Sequence, residues 1–452
     1  MSKKEREKNM GFVHKDSLPC AVSQFELFEV LPTCVQVEES DYADHYSISS
    51  LEGGTNVLEF TVQGSPNVFY DLQRTELVVM YRIRDGSTDM KVGWKMAPVA
   101  NSIASLFTQC DVFLNNKLVT SSNGLYPYQA YASILMGKSR ETCERQLSLQ
   151  MLHLDKPGLH EVAVGNSGYE ARMRRTKESR SVQISGPLYV DLFQQPKALL
   201  SGVDMRIRLT RSSDAFALIG ENLKATDGSV SAHASNAHIE IQSARLKMWA
   251  MTLEGEAHLG IEKTLLEKNA IYNLQRVEMK MFNASAGDTE FTREHISLGL
   301  MPKYIVLFMV ETDSQQGKLN RNPFNFKHFD LKQISLNIDG RQNPMNGLNT
   351  DYDSDKYAEV YKAILDVVGK SRSDVPFIVD YEEFKQGYNM FAFQLAPLLA
   401  AGAFNKQRNS NVRLDMKWAK ALPANISIIA MFVRDGAIEI SRLREVMHNF
   451  ES

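Results

Sequence analysis

The chain is poor in cysteine, and no two cysteines are spaced for chemistry. Cys20, Cys34, Cys110 and Cys143 are scattered through 452 residues without a CxxC, which removes the usual zinc and dithiol signatures and leaves four thiols expected to stay reduced. Charge of one sign is also missing. The formal net charge is −3, so the chain as a whole has no excess of Lys and Arg with which to displace counterions from phosphate, and any nucleic-acid contact would be local. No apolar run approaches the roughly 18 residues of a membrane helix. The richest, 304–310 and 426–433, have the length of buried strands. The opening MSKKEREKNMGF alternates charges and is not followed by the apolar core of a secretory signal, so synthesis in the cytosol is expected, with residues 1–24 as a loosely held arm. Hydrophobic residues at 43% and charged residues at 23% are ordinary for a globular chain and exclude fibrous and disordered classes.

Catalytic and cofactor patterns are equally scarce. Gly137-Lys138-Ser139 and Gly369-Lys370-Ser371 resemble the end of a phosphate loop, but the glycine required five positions earlier is Ala132 or Ile364, and the flanks read as helix ends. Asp351, Asp353 and Asp355 have calcium-loop spacing, yet Lys356 and Lys362 stand where glycine and glutamate are needed. His153 with His160, or His233 with His238, lack a helical register with a nearby acid, and satisfied or solvated histidines are expected. Glu38-Glu39 and Glu382-Glu383 are neighbours, which on a strand point to opposite faces. There is no GxSxG and no Gly-rich dinucleotide loop. No catalytic residue, cofactor or metal is expected.

What is present is β structure. VLEFTV at 57–62, ELVVMYRI at 76–83, DVFLNNKLVT at 111–120, PLYVDLF at 187–193 and MRIRLT at 205–210 are rich in Val, Ile, Phe and Tyr and bounded by turn residues. Asn115-Asn116 and Asp339-Gly340 tolerate positive φ and predict tight hairpins. Near the midpoint, EGEAHLGIEKTLLEK at 254–268 reads as a linking helix. Around it the same order of elements recurs: NVLEFTVQGS at 56–65 with LQRVEMKMFNAS at 274–285, TELVVMYRIRDGS at 75–87 with PKYIVLFMVETDS at 302–314, DVFLNNKLVT with ISLNIDGRQ at 334–342, each of this last pair followed by a Tyr-bearing helical segment. A fourth pair sets 188–209 against 390–418. About eight strands per half with long connections suggest a Greek-key sandwich of the jelly-roll kind. The expected division is an arm at 1–44, a first jelly roll at 45–253, the linking helix at 254–268, a second jelly roll at 269–440 and a tail at 441–452. One basic cluster, Arg172, Arg174, Arg175, Lys177 and Arg180, reads as a solvated loop between strands or as a contact for a partner or nucleic acid.

Several stretches resemble the major capsid protein of Polinton/Maverick elements: QFELFEVLPT at 24–33, SLFTQCDVFLNNKLV at 105–119, YPYQAY at 126–131, VDLF at 190–193, LLSGVDMRIRLTRSSDAF at 199–216, RVEMKMF at 276–282, NPFNFKHFDL at 322–331, QGYNMFAFQL at 386–395 and AIEISRLR at 437–444. They occur in the family's order through both halves. The family's Asn-Gly hairpin is Asn115-Asn116 here. The resemblance implies an all-β fold of two tandem eight-stranded jelly rolls and a homotrimeric, pseudo-hexagonal capsomer. It further implies an icosahedral shell around the double-stranded DNA of a virus-like transposon, bound without sequence specificity, in a virion or virus-like particle assembled in the host cytosol or nucleus. A penton protein and a packaging ATPase are the implied partners, and the chain would not be an enzyme. The alternatives are a two-domain jelly-roll hydrolase acting on glycans and a carbohydrate-binding protein, although Trp94, Trp249 and Trp418 are few for sugar platforms.

Overall fold

The computed structural model describes residues 34–48, 56–220, 223–224, 230–231, 236–397 and 404–448. The expected arm at 1–24, with Cys20, lies outside these residues. In the first half, strands β1 (Val37–Tyr46), β2 (Val57–Val62), β3 (Val68–Asp85), β4 (Phe107–Leu114), β5 (Lys117–Ser121), β6 (Val182–Pro187), β7 (Met205–Arg211) and β8 (Ala237–Leu253) form two antiparallel sheets ordered β1-β8-β3-β6 and β2-β7-β4-β5. Helical segments interrupt the run between β5 and β6, the two longest being α1 (Tyr126–Gly137) and α2 (Ser167–Thr176). Helix α3 (Gly255–Thr264) then leads to β9 (Ala270–Ala284), β10 (Glu290–Leu300), β11 (Tyr304–Glu311), β12 (Leu331–Ile338), β13 (Arg341–Asn349), α4 (Ala358–Val367), β14 (Phe391–Gln394), β15 (Asn409–Trp418) and β16 (Ile426–Ile440). A short β17 (Val446–His448) closes on β16. The second pair of sheets is ordered β9-β16-β11-β14 and β10-β15-β12-β13. Adding eight to each strand of the first half reproduces the second, so jelly-roll connectivity occurs twice in one chain.

Side-chain alternation shows why these segments are strands. On β7, Met205, Ile207 and Leu209 are buried while the arginines between them are not; on β15, Val412, Leu414, Met416 and Trp418 do the same. Strand β11 breaks the rule, with every residue from Ile305 to Val310 fully buried. One of its faces fills the second barrel and the other is covered by the first half, as described below. The two expected hairpins are present: Leu114 pairs with Lys117 around Asn115 (φ 45°) and Asn116 (φ 64°), and Ile338 pairs with Arg341 around Asp339 (φ 49°) and Gly340 (φ 85°).

Three expectations are corrected. The first barrel begins with β1 at Val37, across the boundary expected at 45, since Val37 pairs with Leu253 and Tyr46 with Arg245. Residues 56–65 therefore hold the second strand of their barrel and 274–285 the first of theirs, so that pairing was one strand out of step. The segment 187–193 ends a strand and then turns through a 3-10 segment, Asp191–Gln194, instead of forming a strand of its own. The linking helix spans Gly255–Thr264, within the expected stretch, and residues 446–448 of the expected tail pair with β16.

The left-handed geometry at Gly340 is a position any side chain with a branched β-carbon resists, although the space around it is open. Gly340→Val should lower stability by about 1–3 kcal/mol in denaturant titration, and Gly340→Asn should stay within about 1 kcal/mol of wild type. Equal midpoints for the valine variant and wild type would contradict the turn.

Candidate functional site at the seam of the two barrels

The second barrel turns the outer face of its β9-β16-β11-β14 sheet toward the first half, and the residues between them form the most elaborate constellation among the described residues. Its apolar centre is aromatic. Helix α1 starts with Pro127 in its first turn, where a missing N–H costs nothing. Tyr128 and Tyr131, three apart on one face, then meet Phe324 and Phe326 from the NPFNF stretch and Phe308 from β11. Tyr131 stacks on Phe324 at 4.4 Å between centroids and Phe308 on Phe326 at 4.4 Å, with Tyr128 edge-on to Phe324 at 5.7 Å. Such pairs contribute roughly 0.5–1.5 kcal/mol each beyond the area they bury.

Buried charge lies beside this cluster. Arg172 on α2 and Asp155 form an ion pair at 2.7 Å with side chains 0% and 1% exposed. The Arg172 guanidinium also donates to the carbonyls of Pro98 and His153, while Asp155 accepts from Asn166 at 3.0 Å and from Asn322 of the second half at 2.8 Å. Tyr388, also of the second half, donates its hydroxyl to the Asp155 carbonyl at 2.5 Å. One carboxylate thus gathers groups from both barrels. His160 sits against Tyr388, ring centroids 4.9 Å apart, and Gly387 has no side chain because a Cβ there would lie 2.2 Å from the imidazole. Burial, which outweighs the opposing pull of Asp155, pushes the His160 pKa down to about 4. The imidazole is neutral at pH 7, and neither ring nitrogen has a hydrogen-bond partner.

Further pins follow the seam. Arg276 on β9 bonds the Asp191 carboxylate at 2.8 Å and the Val119 carbonyl at 2.7 Å. Arg444 reaches Glu262 of α3 and the Ser201 carbonyl at 2.8 Å, while the Asn115 amide donates to the Arg444 carbonyl at 2.5 Å. Arg140 meets Glu383 and the Ile378 carbonyl, and the two GKS stretches touch, with Lys370 Nζ donating to the Lys138 carbonyl at 3.2 Å.

The sequence-predicted residues are distributed unevenly over this framework. Of the basic cluster, Arg172 is withdrawn as a surface contact, because it is fully buried in the seam. Arg175 is half-buried and donates to the Ser148 carbonyl at 2.6 Å, while Arg174, Lys177 and Arg180 are exposed. The cluster lies on α2 and the 3-10 turn Lys177–Ser179, not on a plain loop. His160 is neither satisfied nor solvated, contrary to expectation, and His233 lies outside the described residues. Glu383 sits on the short helix Tyr381–Phe384, where it closes a capping box with Asp380 instead of standing on a strand. Gly369 ends α4 in a left-handed conformation (φ 71°), as a helix-capping glycine does, and Asp351 accepts from the Ser354 N–H in a turn. Spacing singles out none of Asp155, Asp191, Arg276 and Tyr388; Asn322 opens the stretch NPFNFKHF, which with YPYQAY carries the resemblance but no assigned role.

No family model matches the chain. The uncharacterized protein F54H12.2 of Caenorhabditis elegans is 20% identical over 381 residues, covering 81% of this chain and 86% of that protein. Among solved structures, one from the Sputnik virophage aligns with a TM-score of 0.66 at 11% identity, over 98% of this chain and 95% of its own. The mavirus major capsid protein aligns at 0.55 and 12% identity, over 97% of both chains. The faustovirus major capsid protein aligns at 0.52 and 9%, over 98% of this chain and 94% of its own. These neighbours are viral double jelly-roll proteins, and the likeness shows that fold for the described residues.

Removing one partner of the buried pair leaves the other charged and dry. Asp155→Ala should cost about 3–5 kcal/mol in denaturant titration, whereas Asp155→Leu with Arg172→Met should recover most of that loss. A single-variant cost below about 1 kcal/mol would mean the pair is hydrated.

A histidine whose folded pKa lies below its unfolded value binds its proton more readily when unfolded, so stability falls as pH drops below about 6.5 toward 4. For His160 the loss between pH 6.5 and 4.5 should be about 2 kcal/mol, and His160→Gln should reduce the slope in that window, leaving the part due to His153, which burial also pushes down to about 4. An unchanged slope in the variant would place the titration elsewhere.

Proposed function

We propose that the chain is a major capsid protein of the Polinton/Maverick kind, whose two barrels act as one rigid tile. The carrying observation is that two complete jelly rolls stand side by side in one chain and are locked by a fully packed aromatic and ionic seam, an arrangement aligned end to end with viral major capsid proteins. In this reading three chains close head to tail into a homotrimer whose six barrels give a pseudo-hexagonal outline. The flank of one chain's first barrel meets the flank of the next chain's second, since cyclic closure joins unlike surfaces. Such trimers tile an icosahedral shell in a virion or virus-like particle, made in the host cytosol and assembled there or in the nucleus. A penton protein fills the vertices, and double-stranded DNA of a virus-like transposon lies inside without sequence-specific contact. In this reading the barrels run from Val37 to Leu253 and from Ala270 to His448, with β1 and β17 included.

An enzyme or a sugar-binding module fits less well. Trp418 is buried and Trp94 and Trp249 are half-buried, which leaves poor stacking platforms for a glycan. The carboxylates most withdrawn from water, Asp155 and Asp191, are each tied to an arginine in the seam.

At micromolar concentration the native mass should be 3 × 51.0 kDa = 153 kDa. A purely monomeric or dimeric species with both barrels folded would contradict the capsomer and favour a two-domain hydrolase or binding protein.

A further inference from the structure

The loop after β3 and helix α2 enclose a cleft of about 450 Å³, remote in function from the seam. Its floor is apolar, with Met90, half-buried Trp94 and Met173, and Val164 stands at its side 64% exposed. Lys91, Arg174 and Lys177 stand around it. Among the described residues these three cations have no ion pair or side-chain hydrogen bond, although the chain as a whole is slightly acidic. Lys95 and two carboxylates complete the polar lining: Glu170, which accepts from the Gly165 N–H, and the exposed Glu178, held by a left-handed backbone (φ 56°) at the 3-10 turn. An apolar floor beside three unpaired cations is complementary to a ligand that carries both an apolar side chain and negative charge.

We propose that this cleft docks a short acidic peptide segment of another protein, carrying one large apolar side chain between carboxylates. The volume suits a single aromatic or long aliphatic side chain with part of its backbone. The cations match flanking Asp or Glu side chains, and a peptide N–H can donate to Glu178, whereas the phosphates of a nucleic acid or lipid bring charge without an apolar side chain for the floor. A flat membrane or a duplex would also bridge a concave floor without filling it. This refines the role of the exposed basic residues, and it holds whether the chain tiles a shell or acts alone.

The test uses the full-length protein and the peptide Ac-Glu-Glu-Phe-Glu-Glu-NH₂, followed by isothermal titration calorimetry at low salt. Competitors are the same peptide with Phe replaced by Ala, a DNA duplex and phosphatidylserine vesicles. Saturable binding that weakens at least tenfold for the alanine peptide supports the inference. So does an equal loss in the protein variant Lys91→Gln/Arg174→Gln/Lys177→Gln, with its melting midpoint unchanged. Should that variant misfold, acetylation of Lys91 and Lys177 in wild type, slowed by the phenylalanine peptide alone, gives the same answer. Absent binding, equal binding of both peptides, or displacement of the peptide by duplex or vesicle at lower concentration would each overturn it.

Discussion

A guanidinium and a carboxylate stripped of water meet where the long connection of the first barrel reaches the second, and each offsets part of the other's lost hydration. Taking each ion out of water costs several kcal/mol even after relaxation, and their attraction offsets this only when every remaining donor and acceptor is used. Around Arg172 and Asp155, Asn166 and Asn322 donate to the carboxylate from the two halves, the guanidinium donates to the carbonyls of Pro98 and His153, and Tyr388 donates to the Asp155 backbone carbonyl. The consequence is geometric more than energetic. An apolar seam could slip by a side chain's width, whereas the directional bonds of Asp155 to Arg172, Asn166 and Asn322 fix one register here. The aromatic stack beside it supplies adhesion, and the Arg276 and Arg444 contacts fix other parts of the seam.

Much of the fold was legible because its signals are local. Turn residues that accept positive φ marked both hairpins, and alternation marked strands such as β7 and β15, where one face is core and the other is water. The doubled order of elements followed from those signals, with a resemblance to a capsid family reinforcing it. Strand β1 was missed for a physical reason. It lies at a sheet edge with both faces largely exposed, so VEESDYADHY shows no apolar alternation and reads as a charged lead-in. Its omission displaced the first repeated block by one strand.

The seam was illegible for the opposite reason, since its members are far apart in sequence and ordinary in type. Asp155 and Asn322 are 167 residues apart, and nothing in their surroundings distinguishes a buried carboxylate from a solvated one. Arg172 shows the same difficulty in reverse, because its place in a run of basic residues suggested a surface when the helix turns it inward. The aromatic density of YPYQAY and NPFNFKHF was the available clue: two short stretches so rich in rings, one in each half, must be buried against something, and here they bury each other.

Under the proposed function the molecule is a two-barrel block that lies beside copies of itself. Electron cryomicroscopy of the purified protein under assembling conditions examines this most directly. Six-lobed, pseudo-hexagonal units built from three chains, packed edge to edge in curved sheets or closed shells, are the expected result. Dispersed two-lobed particles, with the seam intact and no lattice at any concentration or ionic strength tried, would contradict it.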